Sequence, residues 1–160
     1  MKRWTSTFLL VCAMAVAYAI SNPLVTGRGV LEFEAPGHGE GRASFEVSAE
    51  RQGKRLVGRL VFSAEGIHIG GEPTLSSGDP GYPDIVVTAE TLRTVVVKGN
   101  VATITAKALL HLEPVVITVV LTDSRSKSEP DVFNIRCDRP TGEHLFHVKG
   151  PLLTGDIDVR

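Results

Sequence analysis

Asp123 and Asp131 bracket a short polar turn that runs from Ser124 to Pro130. Two carboxylates on one loop offer the hard oxygen ligands that calcium takes. Their spacing matches no calcium loop, and Arg125 and Lys127 lie between them. Aspartates beside turns ordinarily accept hydrogen bonds from nearby backbone N–H groups. Capping is therefore the expected role, with calcium as the competing one. Asp79 and Asp84 pose the same choice farther upstream, where Asp79-Pro80-Gly81 is ordinary turn chemistry. Together with His68 and Tyr82 they are the candidate binding residues of a long loop.

Other residues that could do chemistry lack partners at useful spacing. The chain has five histidines, His38, His68, His111, His144 and His147. A zinc site needs three or four converging ligands. His144 and His147 are three residues apart, which in a regular strand places them on opposite faces. Cys137 alternates with Phe133 and Ile135, so it is expected inside the core as a small hydrophobe. No serine occupies a Gly-x-Ser-x-Gly elbow, and Gly70-Gly71 lacks the strand-to-helix setting of a phosphate loop. No catalytic residue, resident metal or cofactor is expected, apart from the calcium alternative.

The elements that must carry these side chains are strands. In Arg42–Glu50 the residues Ala43, Phe45, Val47 and Ala49 fall on one face and charged or hydroxyl residues on the other. Such alternation describes a strand with one side in a core and one in water. Arg55–Glu65 repeats it after a turn at Arg51-Gln52-Gly53-Lys54, so the two predict a hairpin. Further strands are expected at Val30–Ala35, Ile85–Ala89, Thr94–Lys98, Val101–Ala108, Val115–Thr122, Val132–Cys137, Leu145–Lys149 and Ile157–Val159. Gly99-Asn100 suits a two-residue hairpin turn. This predicts an all-β fold, a single antiparallel β-sandwich with a closed β-barrel as the alternative. The segment Gly66–Pro83 carries five glycines and three prolines and is the one long irregular loop. Loops of that length inside a compact domain are usually either functional or poorly ordered.

The N-terminus has a different character. Lys2 and Arg3 precede an uncharged apolar run from Phe8 to Ile20, and Ala17-Tyr18-Ala19 is a small-x-small cleavage site. That is the plan of a secretion signal. Cys12 follows Leu9, Leu10 and Val11, without the small residue that lipid attachment wants directly before the cysteine. The expected organisation is a signal peptide over 1–19, a linker over 20–27 and a β domain over 28–160. No membrane span is expected to remain after cleavage. Taking Lys2 and Arg3 from 17 basic residues leaves 15 against 18 acidic ones, a net charge of about −3. Nothing in that balance suits a phosphate backbone, and nucleic acid is not an expected partner.

The second half carries a series of short motifs: Gly99-Asn100-Val101-Ala102-Thr103-Ile104-Thr105, Val115-Val116-Ile117-Thr118-Val119, Thr122-Asp123, Asp131-Val132-Phe133-Asn134-Ile135 and Gly150-Pro151-Leu152-Leu153-Thr154-Gly155-Asp156-Ile157. This series resembles the post-COAP β-domain family, found beside choice-of-anchor modules in exported bacterial proteins. The likeness spans about Ala43 to Val159. It implies secretion and a β fold and carries no enzymatic activity. The expected function is a non-catalytic exported module with a structural or adhesive role, at the cell envelope or outside the cell. Its partner would be a protein or glycan surface, met through the Gly66–Pro83 loop. The competing expectation is a barrel that carries a small apolar ligand.

Overall fold

A computed structural model describes residues 21–35, 39–67, 85–126 and 128–160. The segment read as a signal peptide lies outside the described residues. Eight strands follow one another along the chain: β1 (Ser21–Ala35), β2 (Gly39–Gln52), β3 (Arg55–Glu65), β4 (Ile85–Lys98), β5 (Val101–Leu110), β6 (Glu113–Thr122), β7 (Val132–Asp138) and β8 (His144–Val159). Each pairs antiparallel with the next, and β1 pairs with β8 to close a barrel. The chain thus takes the second of the two closures that alternating strands allow, a barrel and not a sandwich.

Two strands each join segments whose alternation reads as separate strands. Ile85–Ala89 and Thr94–Lys98 are one strand, β4, interrupted by two register shifts, between Thr88 and Thr91 and between Leu92 and Thr94. Each shift inserts one extra residue opposite β5, the definition of a β-bulge. The bulges put Glu90 and Thr91 consecutively outside, then Leu92 inside, then Arg93 and Thr94 outside. Likewise Leu145–Lys149 and Ile157–Val159 both belong to β8. There Val30 pairs with Thr154 but Leu31 with Leu152, so Leu153 is the extra residue. Gly155 takes φ +111, and a Cβ there would lie 2.1 Å from the Arg28 carbonyl oxygen. Only glycine fits that close approach.

The expected linker over 20–27 needs correction. β1 starts at Ser21, pairs with β2 from Ser21↔Gln52 onward, and buries Val25. Its glycines at 27 and 29 hide the alternation that would have marked a strand.

The axis of the barrel is filled. Leu31, Phe62, Val87, Ile104, Ile117, Ile135 and Val148, from seven different strands, are completely buried. Down the middle runs a series of phenyl rings: Phe45 stacks on Phe133 with centroids 4.0 Å apart, Phe133 faces Phe62 at 5.8 Å, and Phe62 faces Phe146 at 6.0 Å. An eight-stranded barrel is just narrow enough for side chains to fill it. Each buried ring contributes roughly 2–3 kcal/mol of transfer free energy. Among the described residues no polar or charged side chain is buried.

Candidate functional site

The β6–β7 loop shows what Asp123 and Asp131 do. Beyond Pro151, β8 has left its partner, because β7 begins at Val132 opposite Pro151. The outgoing half of β8 therefore pairs with β1 on one side and has no strand on the other. The loop fills that place. The backbone N–H of Ile157 donates to Asp131 Oδ2 at 2.7 Å and that of Leu152 to the Asp131 carbonyl at 2.8 Å. The N–H of Val159 donates to Asp123 Oδ2 at 3.4 Å.

The other carboxylate oxygens brace the loop itself. Asp131 Oδ1 accepts the Ser124 N–H at 2.9 Å and Asp123 Oδ1 accepts the Arg125 N–H at 2.8 Å. Arg125 also donates to the Gly99 carbonyl at 3.2 Å, while Asn100 Nδ2 donates to the Asp123 carbonyl at 2.7 Å. Each carboxylate oxygen faces an N–H donor, as capping requires. Among the described residues no group of three or more His, Cys, Asp or Glu converges as a metal site would. His68, Asp79, Tyr82 and Asp84, the loop candidates, lie outside the described residues.

A second polar cluster sits on the outer face of β7 and β8. Arg136 Nε donates to both oxygens of Asp138 at 3.0 and 2.9 Å, and His144 Nδ1 lies 2.9 Å from Asp138 Oδ1. His147 Nε2 lies 2.7 Å from Asn134 Oδ1. Both histidines face outward, against the opposite-face expectation. Leu145 and Phe146 are consecutively buried at a register shift beside Asp138, and that bulge returns His147 to the face of His144.

Partial burial by itself pushes Asp138 upward, but the hydrogen bonds and charges of Arg136 and His144 outweigh it and hold the carboxyl below its usual range. Burial, then the positive charges of His144, Arg136 and Lys149, hold His147 below the ordinary histidine value. Between these residues Cys137 points inward, fully buried. Burial, then the charge of Asp138, pushes its thiol up to about 12. A thiol in that state is not a nucleophile.

The third feature is a cleft of about 770 Å³ on the outside of the wall. It crosses β4, β5 and β6 and ends against Pro140 in the β7–β8 connection. Among the described residues its apolar surface comes from Leu109, Pro114, Val116 and Pro140, and its charged groups are Glu90, Arg93 and Lys107. The β5–β6 turn, His111-Leu112, stands just beyond Leu109 and Pro114, with Leu112 87% exposed. Of these residues the sequence singles out His111 alone as a candidate, for its imidazole and not for its turn. Their signal was present: the break in alternation over Glu90–Thr94 marks bulges, and two residues between Leu110 and Glu113 mark a tight hairpin.

No known protein family, curated protein or solved structure matches this chain.

Proposed function

We propose that the chain is an exported, non-catalytic binding module whose recognition surface is the outside of its barrel. The observation that carries this reading is the filled axis. The stack Phe45–Phe133–Phe62–Phe146 occupies the space where a carrier would hold its ligand. The carrier reading therefore loses its support. Contact through the outer surface needs no interior space.

The polarity of the wall supports a life in water. Arg28, Glu32, Glu34, Arg42, Glu46 and Arg59 all stand exposed on the outside. A barrel set in lipid has the opposite arrangement, an apolar exterior band around a polar interior. The chemistry of the β7–β8 cluster supports a non-catalytic role. The Asp138 carboxylate is shared between Arg136 and His144, and the nearest sulfur, that of Cys137, is buried and protonated. Export rests on the first 19 residues, which have the plan of a secretion signal.

The test is the intact mass of the chain recovered from an export-competent bacterial host. The reading expects the periplasmic or extracellular fraction to hold a chain shortened by residues 1–19. A full-length chain confined to the cytosol would overturn it.

A further inference from the structure

We propose that the cleft beside the β5–β6 turn docks an extended polypeptide segment of a partner protein, one that carries an acidic side chain among aliphatic ones. This rests on the reading of the barrel as a surface-binding module and names the place and the chemistry of the partner.

Three independent features meet there. The first is strain. His111 and Leu112 take φ +47 and +75, whereas the β2–β3 and β4–β5 turns use glycine, Gly53 and Gly99, at positive φ. A non-glycine residue in that region costs roughly 1–2 kcal/mol. Backbone strain of this kind concentrates at ligand clamps and other functional sites. Here it holds Leu112 out into water at 87% exposure, in the turn that follows Leu109, which is 43% exposed and lines the cleft. Leucines at the rim of a cleft are what a protein partner covers.

The second feature is the pair of bulges in β4. Each disrupts the ladder with β5, and each turns a charged residue outward beside a threonine, Glu90 with Thr91 and Arg93 with Thr94. Bulges are devices that re-aim side chains next to functional sites.

The third is charge. Among the described residues that line the cleft, Arg93 and Lys107 bring two cations against one carboxylate, Glu90, on a chain whose formal net charge is −1. Among the described residues neither cation is ion-paired. The site therefore offers an aliphatic wall and an unspent positive charge.

The dimensions suit a short extended segment. From β4 to the β7–β8 connection is three strand spacings, roughly 14 Å, the length of about four extended residues. Sugars commonly stack on aromatic rings, and among the described residues none that lines the cleft is aromatic. A glycan is accordingly the less suitable occupant.

The experiment is an NMR titration of the 15N-labelled chain, in whichever form the cell accumulates it. The probe is a blocked hexapeptide with one aspartate between two leucines. The expected result is saturable shifts at the amides of Arg93, Lys107, Leu109 and Leu112, with a dissociation constant of about 100 µM or tighter. Replacing the aspartate by asparagine weakens binding about three- to tenfold at low salt, and the gap closes at high salt. Leu112→Ser, and the double variant Arg93→Gln with Lys107→Gln, each lose about fivefold while their dispersed spectra report an intact barrel.

Four outcomes overturn the proposal: no saturable shifts, shifts elsewhere, equal binding of both peptides, or the same amides responding to something other than the peptide. Broadening with protein concentration alone identifies a second copy as the occupant. A response to phosphatidylglycerol vesicles but not to peptide identifies a membrane. None of these bears on export, which the intact mass decides separately.

Discussion

Asp131 Oδ2 accepts the backbone N–H of Ile157 at 2.7 Å, across 26 residues of sequence. A side chain here stands in for a strand. The same carboxylate holds Ser124 N–H, so one residue ties the β6–β7 loop to the last strand of the barrel. Hydrogen bonds to a charged acceptor contribute about 1.5–3 kcal/mol, and a buried donor left unpaired adds its own cost. Asp131→Ala is expected to destabilise the fold by about 2–3 kcal/mol in urea denaturation, and Asp131→Asn by less, because one acceptor oxygen remains. Since the carboxylates already serve N–H donors, calcium is expected to leave the melting temperature unchanged. Stabilisation that rises with calcium concentration would restore the ion-binding role.

The ring stack yields a second prediction. Phe133 lies between Phe45 and Phe62 and is completely buried. Phe133→Ala removes a ring from the middle of the axis and leaves a void, at a cost of about 3–5 kcal/mol. The denaturation midpoint reads the loss. The variant is also expected to admit a small apolar probe such as benzene, detected by protein-observed NMR, where the parent chain does not.

Much of this fold is legible residue by residue, and its failures have a common cause. Ala43, Phe45, Val47 and Ala49 alternate without a break because β2 pairs without a register shift between Gly39↔Ala35 and Val25↔Ala49. In β4 and β8, bulges reset the alternation, so each presents itself as two short strands with a polar gap. Ten apparent strands then conceal an eight-stranded meander, and a sandwich looks the better closure. The capping role of Asp131 is readable from its turn. Its bond to Ile157 is not, because nothing local reports that β7 stops at Val132 and leaves β8 without a neighbour. The cleft is harder still, since its residues come from three strands and gain meaning only once Thr91, Lys107, Val116 and Asp138 form one row across the wall.

Cys137 gives a third prediction. With the thiol pushed up to about 12 by burial, the thiolate is absent at pH 8. Iodoacetamide is expected to leave Cys137 of the folded protein unmodified over hours and to alkylate it promptly in urea. Rapid modification of the folded form would mean that the β7 wall opens.

The β7–β8 cluster makes the fourth, through pH. His147 is held below the ordinary histidine value in the folded state, so its contribution is complete above about pH 6.5. It fades as pH falls through the lowered value, because the unfolded chain takes up the proton first. His147→Gln is expected to flatten the stability profile between pH 7.5 and 5. Asp138 is also depressed, so its contribution is present above the unfolded carboxylate range, about pH 4, and is lost in stronger acid. Asp138→Asn is expected to differ from the parent at pH 6 and to converge with it near pH 2. Urea midpoints across this range check both, and 13C-resolved titration of the His147 ring checks the direction directly.

The most direct test of a closed, filled barrel is the pairing of its first and last strands. Nuclear Overhauser spectroscopy of the 15N,13C-labelled chain is predicted to show antiparallel cross-strand contacts between Gly27 and Ile157 and between Val25 and Val159, together with ring contacts joining Phe45, Phe133 and Phe62. If β1 and β8 showed no contact with each other, the wall would be open, the sheet would have two free edges, and the account would be contradicted.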